Sequence, residues 1–214
     1  MEKKIVTFDL DGTLLIMDYQ AEENYFREVF CDEDPEIVGD FIESIPDELM
    51  IYERKFETYD VAKLNFFLKK RTELPFNKKI IETWIDVVGY GEDTVSEGAF
   101  ETLQYLKEKK YKLVLLTNWF QRTQEVRLIR SGLDKYFDAF IYGESCLKPN
   151  HIAYMMASGN TYNKNCTFVG DNYENDYLWP WWYGFDAYLY DPNNEDIHDF
   201  DHKIKQLRKL KELL

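Results

Sequence analysis

Residues 5–14 read Ile5-Val6-Thr7-Phe8-Asp9-Leu10-Asp11-Gly12-Thr13-Leu14, an apolar run that ends in two aspartates and a Gly-Thr turn. Read as a buried strand, its side chains alternate between faces, so Asp9 and Asp11 leave the strand end on roughly the same side. Two carboxylates crowded at one strand tip repel each other and need a cation, a shared proton or several donors. Metal sites and carboxylate nucleophiles are both built this way. Gly12 and Thr13 allow a sharp turn and offer backbone N–H groups to an anion. An Asx-rich turn closing a strand is the plain structural alternative for the same string.

Working outward, strand-like apolar runs recur at residues 4–9, 113–117, 137–142, 167–170 and 187–190, with helical patterns between the last four. Residues 96–109 read as a helix with Ser96 as N-cap, apolar positions at Phe100, Leu103 and Leu106, and lysines in the last turn. Residues 121–131 follow the same logic and stop at Gly132, and residues 150–159 make a shorter candidate. Strands alternating with helices predict an α/β fold, a Rossmann-like parallel sheet with helices on both faces.

Between Leu14 and Val95 the rhythm changes to helix alone, at residues 22–30, 36–45, 47–56, 61–70 and 77–88, with breaks at Asp34-Pro35, Pro46, Pro75 and Gly89. The expected organisation is an α/β core of residues 1–14 and 95–214, with residues 15–94 inserted as an α-helical bundle. Ligands bind beyond the carboxyl ends of strands in open α/β sheets, so a bundle placed there would act as a lid. An independent helical domain with its own partner is the other reading. Residues 203–214 read as a closing surface helix whose Lys and Arg side chains form a solvated face.

The 214 residues carry 40 acidic and 26 basic side chains, a formal charge of −14. That field repels nucleic-acid phosphates and requires any phosphate site to be locally positive. Cys31, Cys146 and Cys166 are widely spaced, as expected of reduced thiols in a cytoplasmic protein. No secretion signal and no apolar run of 18 residues is present, so neither export nor a membrane partner is expected. A monomer or weak homodimer is expected.

Three further strand ends carry polar residues. Leu113-Val114-Leu115-Leu116-Thr117-Asn118 closes an apolar strand with a hydroxyl and an amide suited to phosphate oxygens, although Thr-Asn also begins ordinary turns. Lys148, in Leu147-Lys148-Pro149-Asn150, offers one ammonium beside a stiff proline; taken alone it reads equally as a surface lysine. Phe168-Val169-Gly170-Asp171 ends a strand in Gly-Asp, and Asp176 follows five residues later. Acidic pairs at such a turn are typical oxygen ligands for Mg²⁺.

In this order the four motifs resemble the haloacid dehalogenase-like hydrolase superfamily over the whole chain, with residues 15–94 similar to that family's helical cap. The resemblance implies that Asp9 is the nucleophile taking the phosphoryl group, and that Asp11 is the general acid for the leaving alkoxide and then the base for water. It implies that Thr117 and the backbone of Asn118 bind the phosphoryl oxygens and that Lys148 neutralises charge between phosphate and nucleophile. Mg²⁺ would be held by Asp171, the Asp9 carboxylate and the Asp11 backbone carbonyl, with Asp176 supporting through water or Lys148. A carboxylate attacks a phosphate dianion only where the repulsion is cancelled, which is what a metal and an ammonium supply. An alkoxide must be protonated as it leaves, whereas a halide needs no proton. Asp11 therefore favours phosphate esters, and the expected activity is a Mg²⁺-dependent phosphatase working through an aspartyl-phosphate on a small phosphorylated metabolite. A phosphomutase of the same superfamily and a non-catalytic phosphate- or metal-binding module are the alternatives.

Two stretches depart from the family pattern. Trp119 stands where relatives often have glycine, and reads either as a wall of the substrate entrance or as filler under the cap. Leu178-Trp179-Pro180-Trp181-Trp182 occupies a helix where relatives carry small residues. Packing of these indoles against the sheet is favoured over an exposed interface.

Overall fold

The computed structural model of the protein describes residues 4–160, 165–198 and 200–214. The opening apolar run forms β1 (Ile5–Phe8) and is followed by β2 (Leu15–Met17). Four helices come next: α1 (Gln20–Val29), α2 (Pro35–Lys55), α3 (Val61–Arg71) and α4 (Lys78–Tyr90). β3 (Asp93–Val95) then leads into the alternating part, α5 (Ala99–Glu108), β4 (Lys112–Thr117), α6 (Gln121–Ser131), β5 (Ala139–Tyr142), α7 (His151–Ala157) and β6 (Cys166–Gly170). A π-helical turn (Tyr173–Leu178) runs into α8 (Trp179–Trp182), followed by β7 (Asp186–Tyr190), β8 (Lys203–Ile204) and α9 (Leu210–Leu213).

Six strands form one sheet in the order β5-β4-β1-β6-β7-β8, with every neighbouring pair parallel. β1 lies inside it, with Phe8 level with Leu115 on one side and Val169 on the other. The chain fills one side of β1 with β4 and β5, then crosses to the other side with β6. This is the topological switch at which open α/β sheets place their ligands. One face of the sheet packs Leu103, Leu106, Leu128 and Leu210 over Val6, Phe8, Leu113 and Leu115. The other packs Ala153, Tyr154 and Ala157 over Val114, Leu116 and Phe168.

The helical layer has an aromatic core of its own. Phe26 sits among Phe41, Phe76 and Trp84, with ring centroids 5.2, 6.4 and 5.1 Å away. Asp34, Asp60 and Asn77 each cap a helix by accepting a backbone N–H, from Glu36, Lys63 and Ile80. β2 and β3 pair antiparallel, Leu15 opposite Val95, and so form a two-stranded ribbon at the root of the layer.

Several sequence expectations change. The two helices expected on either side of Pro46 are one 21-residue helix, α2, with Pro46 inside it. Val38, Phe41 and Ile45 before the proline share a buried face with Tyr52 beyond it, and that common burial outweighs the roughly 3 kcal/mol penalty of an internal proline. α4 runs past Gly89 to Tyr90. α5 begins after Gly98 in a left-handed conformation, while the Ser96 amide is bonded to the Leu14 carbonyl at 3.0 Å. Residues 203–214 are no single surface helix: Ile204 pairs with Tyr190 in β8, and Leu207 and Leu210 are fully buried. Their spacing of three mimics one face of a helix, but contact with the sheet straightens the first of them. Of the indoles, Trp179 is partly buried against the sheet core of Val114, Leu116 and Phe168, as favoured, whereas Trp181 and Trp182 are 52% and 71% exposed and depart from that expectation.

Candidate active site

Asp9 follows β1 directly, and its amide donates to the Val169 carbonyl of β6 at 2.9 Å, which fixes where its carboxylate emerges. Gly12 turns the chain at φ +73°, and a Cβ there would lie 2.1 Å from an Asp171 carboxylate oxygen. Glycine at position 12 is thus required twice, by its backbone angle and by the approach of Asp171. Thr13 is buried and donates its hydroxyl to Asp171 at 2.9 Å. Gly170 plays the same part for Asp176, whose Cγ lies 2.2 Å from where a Cβ would stand. Asp176 also accepts the Asn172 amide at 3.1 Å, in a turn that Asn172 caps through the amide of Asn175.

These turns bring together carboxylate oxygens of Asp9, Asp171 and Asp176, all within 4.8 Å of one another. Lys148 is buried beside them, with Nζ 2.8 Å from Asp9 and 2.6 Å from Asp176. Burial disfavours the ammonium, but Asp176 and Asp9 outweigh it, so the Lys148 pKa rises and the side chain stays charged. Burial first, and then the neighbouring carboxylates, raise Asp9 well above the ordinary range. Loss of solvent around Asp171, helped by the Asp176 charge, pushes it up to about 7. With all three carboxylates ionised, as a bound cation would require, one ammonium leaves two negative charges uncompensated. An all-oxygen donor set with that deficit fits a hard divalent cation such as Mg²⁺.

Asp11 has a different environment. Its two oxygens lie 2.5 Å from Arg127 Nη1 and 2.6 Å from Gln124 Nε2, so its side chain stands outside the Asp9-Asp171-Asp176 group. Gln124 also donates to the Thr117 hydroxyl at 2.9 Å and to the Asn118 carbonyl at 3.1 Å. The Asn118 amide group, expected at the phosphate, is instead stitched to the main chain of Lys148 by bonds of 2.9 and 3.1 Å. That pair holds the β4 end and the Lys148 loop together. All the residues singled out from the sequence, Asp9, Asp11, Thr117, Asn118, Lys148, Asp171 and Asp176, line a single cavity of about 460 Å³.

Sequence reasoning missed Gln124 and Arg127. Both are fully buried on α6, on the face shared with Thr123 and Leu128. A polar pair three residues apart on the core-facing side of a helix was the available signal. Arg127 also bonds Asp93 of β3 at 2.8 Å; burial works against its charge, but Asp11 and Asp93 raise its pKa. Glu53 of α2 was missed as well. It lines the cavity, accepts the Tyr59 hydroxyl at 2.8 Å, and is pushed up to about 7 by burial, against the bonds from Tyr59 and Asn118.

Trp119 is buried at φ +96°, an angle that favours glycine and costs a bulky residue on the order of 1–3 kcal/mol. Its ring packs against Trp84 and Tyr59 of the helical layer, with centroids 4.9 and 5.2 Å apart, so packing holds the angle. It is both filler under the layer and a wall of the cavity.

Comparison with known proteins agrees with this architecture. A phosphorylated carbohydrates phosphatase of Thermotoga maritima is 38% identical over 61 residues, 28% of each chain, so the match spans little more than a quarter of that relative. The magnesium-bound HAD-hydrolase YfnB of Bacillus subtilis superposes with a TM-score of 0.74 at 20% identity, covering 100% of this chain and 99% of that one. The L-2-haloacid dehalogenase of Xanthobacter autotrophicus gives 0.71 at 17% identity, covering 99% and 98%. The haloacid dehalogenase-like hydrolase family model matches residues 3–178, and, in keeping with the parallel sheet and its converging strand ends, this chain belongs to that family of hydrolases.

Proposed function

We propose that the protein is a Mg²⁺-dependent phosphatase that hydrolyses a small phosphate monoester through an aspartyl-phosphate on Asp9. The observation that carries this reading is the unequal partnering of the two aspartates of the opening motif. Asp9 sits with Lys148 and two further carboxylates, whereas Asp11 is turned to Arg127 and Gln124. This division supports Asp9 as the attacking group and Asp11 as the group that moves a proton.

In this reading an Asp9 oxygen attacks phosphorus and the bond to the ester oxygen breaks. Asp11 gives its proton to the departing alkoxide, then takes one from the water that cleaves the Asp9–phosphoryl bond and frees inorganic phosphate. Lys148 balances charge between Asp9 and the phosphoryl oxygens, and the Thr117 hydroxyl with the Asn118 backbone orients those oxygens. A bound Mg²⁺, held by Asp9, Asp171 and the Asp11 carbonyl with Asp176 in support, would supply the remaining positive charge. Residues 15–94 act as a cap on a core of residues 1–14 and 95–214, excluding bulk water. The substrate is a small cytoplasmic metabolite. Among the described residues no helix is long and apolar enough to cross a membrane.

A dehalogenase has no need of a proton donor at position 11, so the presence of an aspartate there supports an ester. The test is release of inorganic phosphate from an aryl phosphate with Mg²⁺, in the parent protein and in Asp9→Asn. Turnover should vanish in the variant while the circular dichroism spectrum stays unchanged. Hydrolysis that survives the substitution would remove Asp9 as nucleophile, and dependence on a bisphosphorylated sugar without net phosphate release would reveal a mutase.

A further inference from the structure

The cavity wall supplied by the helical layer has a one-sided chemistry. α2 presents the stripe Ile42, Ile45, Pro46, Leu49, Met50 and Glu53 to it, one helical face at spacings of three and four. Pro46 has no amide to donate to the Ile42 carbonyl, so this apolar stripe also carries a backbone acceptor. The charged groups that the layer adds are Glu22, Glu23 and Glu53, and no Lys, Arg or His of residues 15–94 is among the described residues lining the cavity. Glu23 is paired with Arg27. Glu22 accepts the Trp84 indole N–H at 2.6 Å, Glu53 accepts from the Tyr59 hydroxyl and from Asn118 and feels the more distant charge of Lys148, and neither carboxyl has a cationic partner within the helical layer.

Among the described residues, the two cations that line the cavity, Lys148 and Arg127, belong to the sheet side and are already engaged. Lys148 bonds Asp9 and Asp176, and Arg127 bonds Asp11 and Asp93. A phosphoryl group bound at the strand ends takes what positive charge is there. A second anion on the same molecule would be left beside Glu22 and Glu53 with no cation of the helical layer to meet it, in an apolar enclosure where an unpaired charge is strongly unfavourable.

We propose that the cavity takes monophosphate esters of uncharged or cationic alcohols that offer an apolar face and a hydrogen-bond donor to Glu53, and rejects esters whose leaving group carries a second anion. This deepens the phosphatase reading and rests on it for the place of the phosphoryl group. It makes Glu53 a specificity-determining residue and the donor-free stripe of α2 the selecting surface.

O-phosphoethanolamine and phosphoglycolate are two-carbon esters that differ in an ammonium against a carboxylate, and they form the test pair. In the parent protein with Mg²⁺, kcat/KM should favour phosphoethanolamine by about tenfold or more. Calorimetric affinities in Asp9→Asn should show the same order without turnover. Met50→Arg, or Leu49→Lys if the first variant does not fold, should narrow or invert the ratio by giving the carboxylate a partner. Equal or reversed preference in the parent, or no binding of either ester by Asp9→Asn, overturns the inference. Absence of any phosphate release by the parent, together with the expected affinity order in Asp9→Asn, would remove the phosphatase reading and leave the selectivity of the cavity standing.

Discussion

Arg127 holds Asp11 by a 2.5 Å contact between Nη1 and Oδ1, and the guanidinium that makes it is only 1% exposed. The same side chain reaches Asp93 at the start of β3, so one buried cation joins the second aspartate of the opening motif to the strand leading out of the helical layer. Arg130, one turn further along α6, bonds Asp93 at 2.6 Å and the Gly89 carbonyl at 3.2 Å. α6 thereby ties the root of the layer to the strand end that carries Asp11.

Removing that cation should cost both stability and rate. Arg127→Met leaves Asp11 and the buried Asp93 with a missing partner, and unfolding in urea should show a loss of about 3 kcal/mol. With Asp11 no longer held, kcat should fall between about ten- and a hundredfold while KM changes little. Arg127→Lys keeps the charge but not the planar fork, so it should recover most of the stability and less of the rate.

Gly12→Ala should be more damaging than its size suggests. The new methyl would occupy the position of the Asp171 carboxylate and would need φ +73°. A stability loss of about 1–3 kcal/mol is expected. Weaker Mg²⁺ binding, read by calorimetry on the folded variant, should accompany it.

The pH dependence of stability should carry the signature of Glu53. Its folded pKa, pushed up to about 7 by burial, lies above the unfolded value of 4.5. The folded state therefore keeps this proton while the unfolded chain releases it, and stability declines as pH rises from 4.5 to about 7. Glu53→Gln should remove the Glu53 share of that decline, leaving what the raised Asp9 and Asp171 contribute. Thermal melts should show the variant more stable than the parent at pH 8 by on the order of 1 kcal/mol, with the gap closing toward pH 5.

The C-terminal segment should behave as core. Leu207 is fully buried, so Leu207→Ala should cost about 2–5 kcal/mol in a denaturant titration. Lys209→Ala, on a side chain 52% exposed, should change stability by less than about 0.5 kcal/mol.

The sequence by itself determined the sheet, its covering helices and the polar strand ends that meet at the cavity. Apolar runs such as Leu113 to Leu116 have no solvated face, and Asp9, Thr117, Lys148 and Asp171 each stand where such a run or its loop gives out. That information is local, carried by periodicity and by the polar residue that ends it. Gly12 and Gly170 were local in the same sense, although only the folded chain shows which carboxylates occupy the space they leave. The ribbon of β2 and β3 was invisible because three residues carry no period. Pro46 was misread as a stop because propensity counts the lost hydrogen bond and not the burial that Phe41, Ile45 and Tyr52 gain by staying in one helix. Tertiary structure alone decided the unequal surroundings of Asp9 and Asp11. Their partners Lys148 and Arg127 lie more than a hundred residues away in sequence, and a side chain's charge environment is set by whatever the fold brings within a few ångströms.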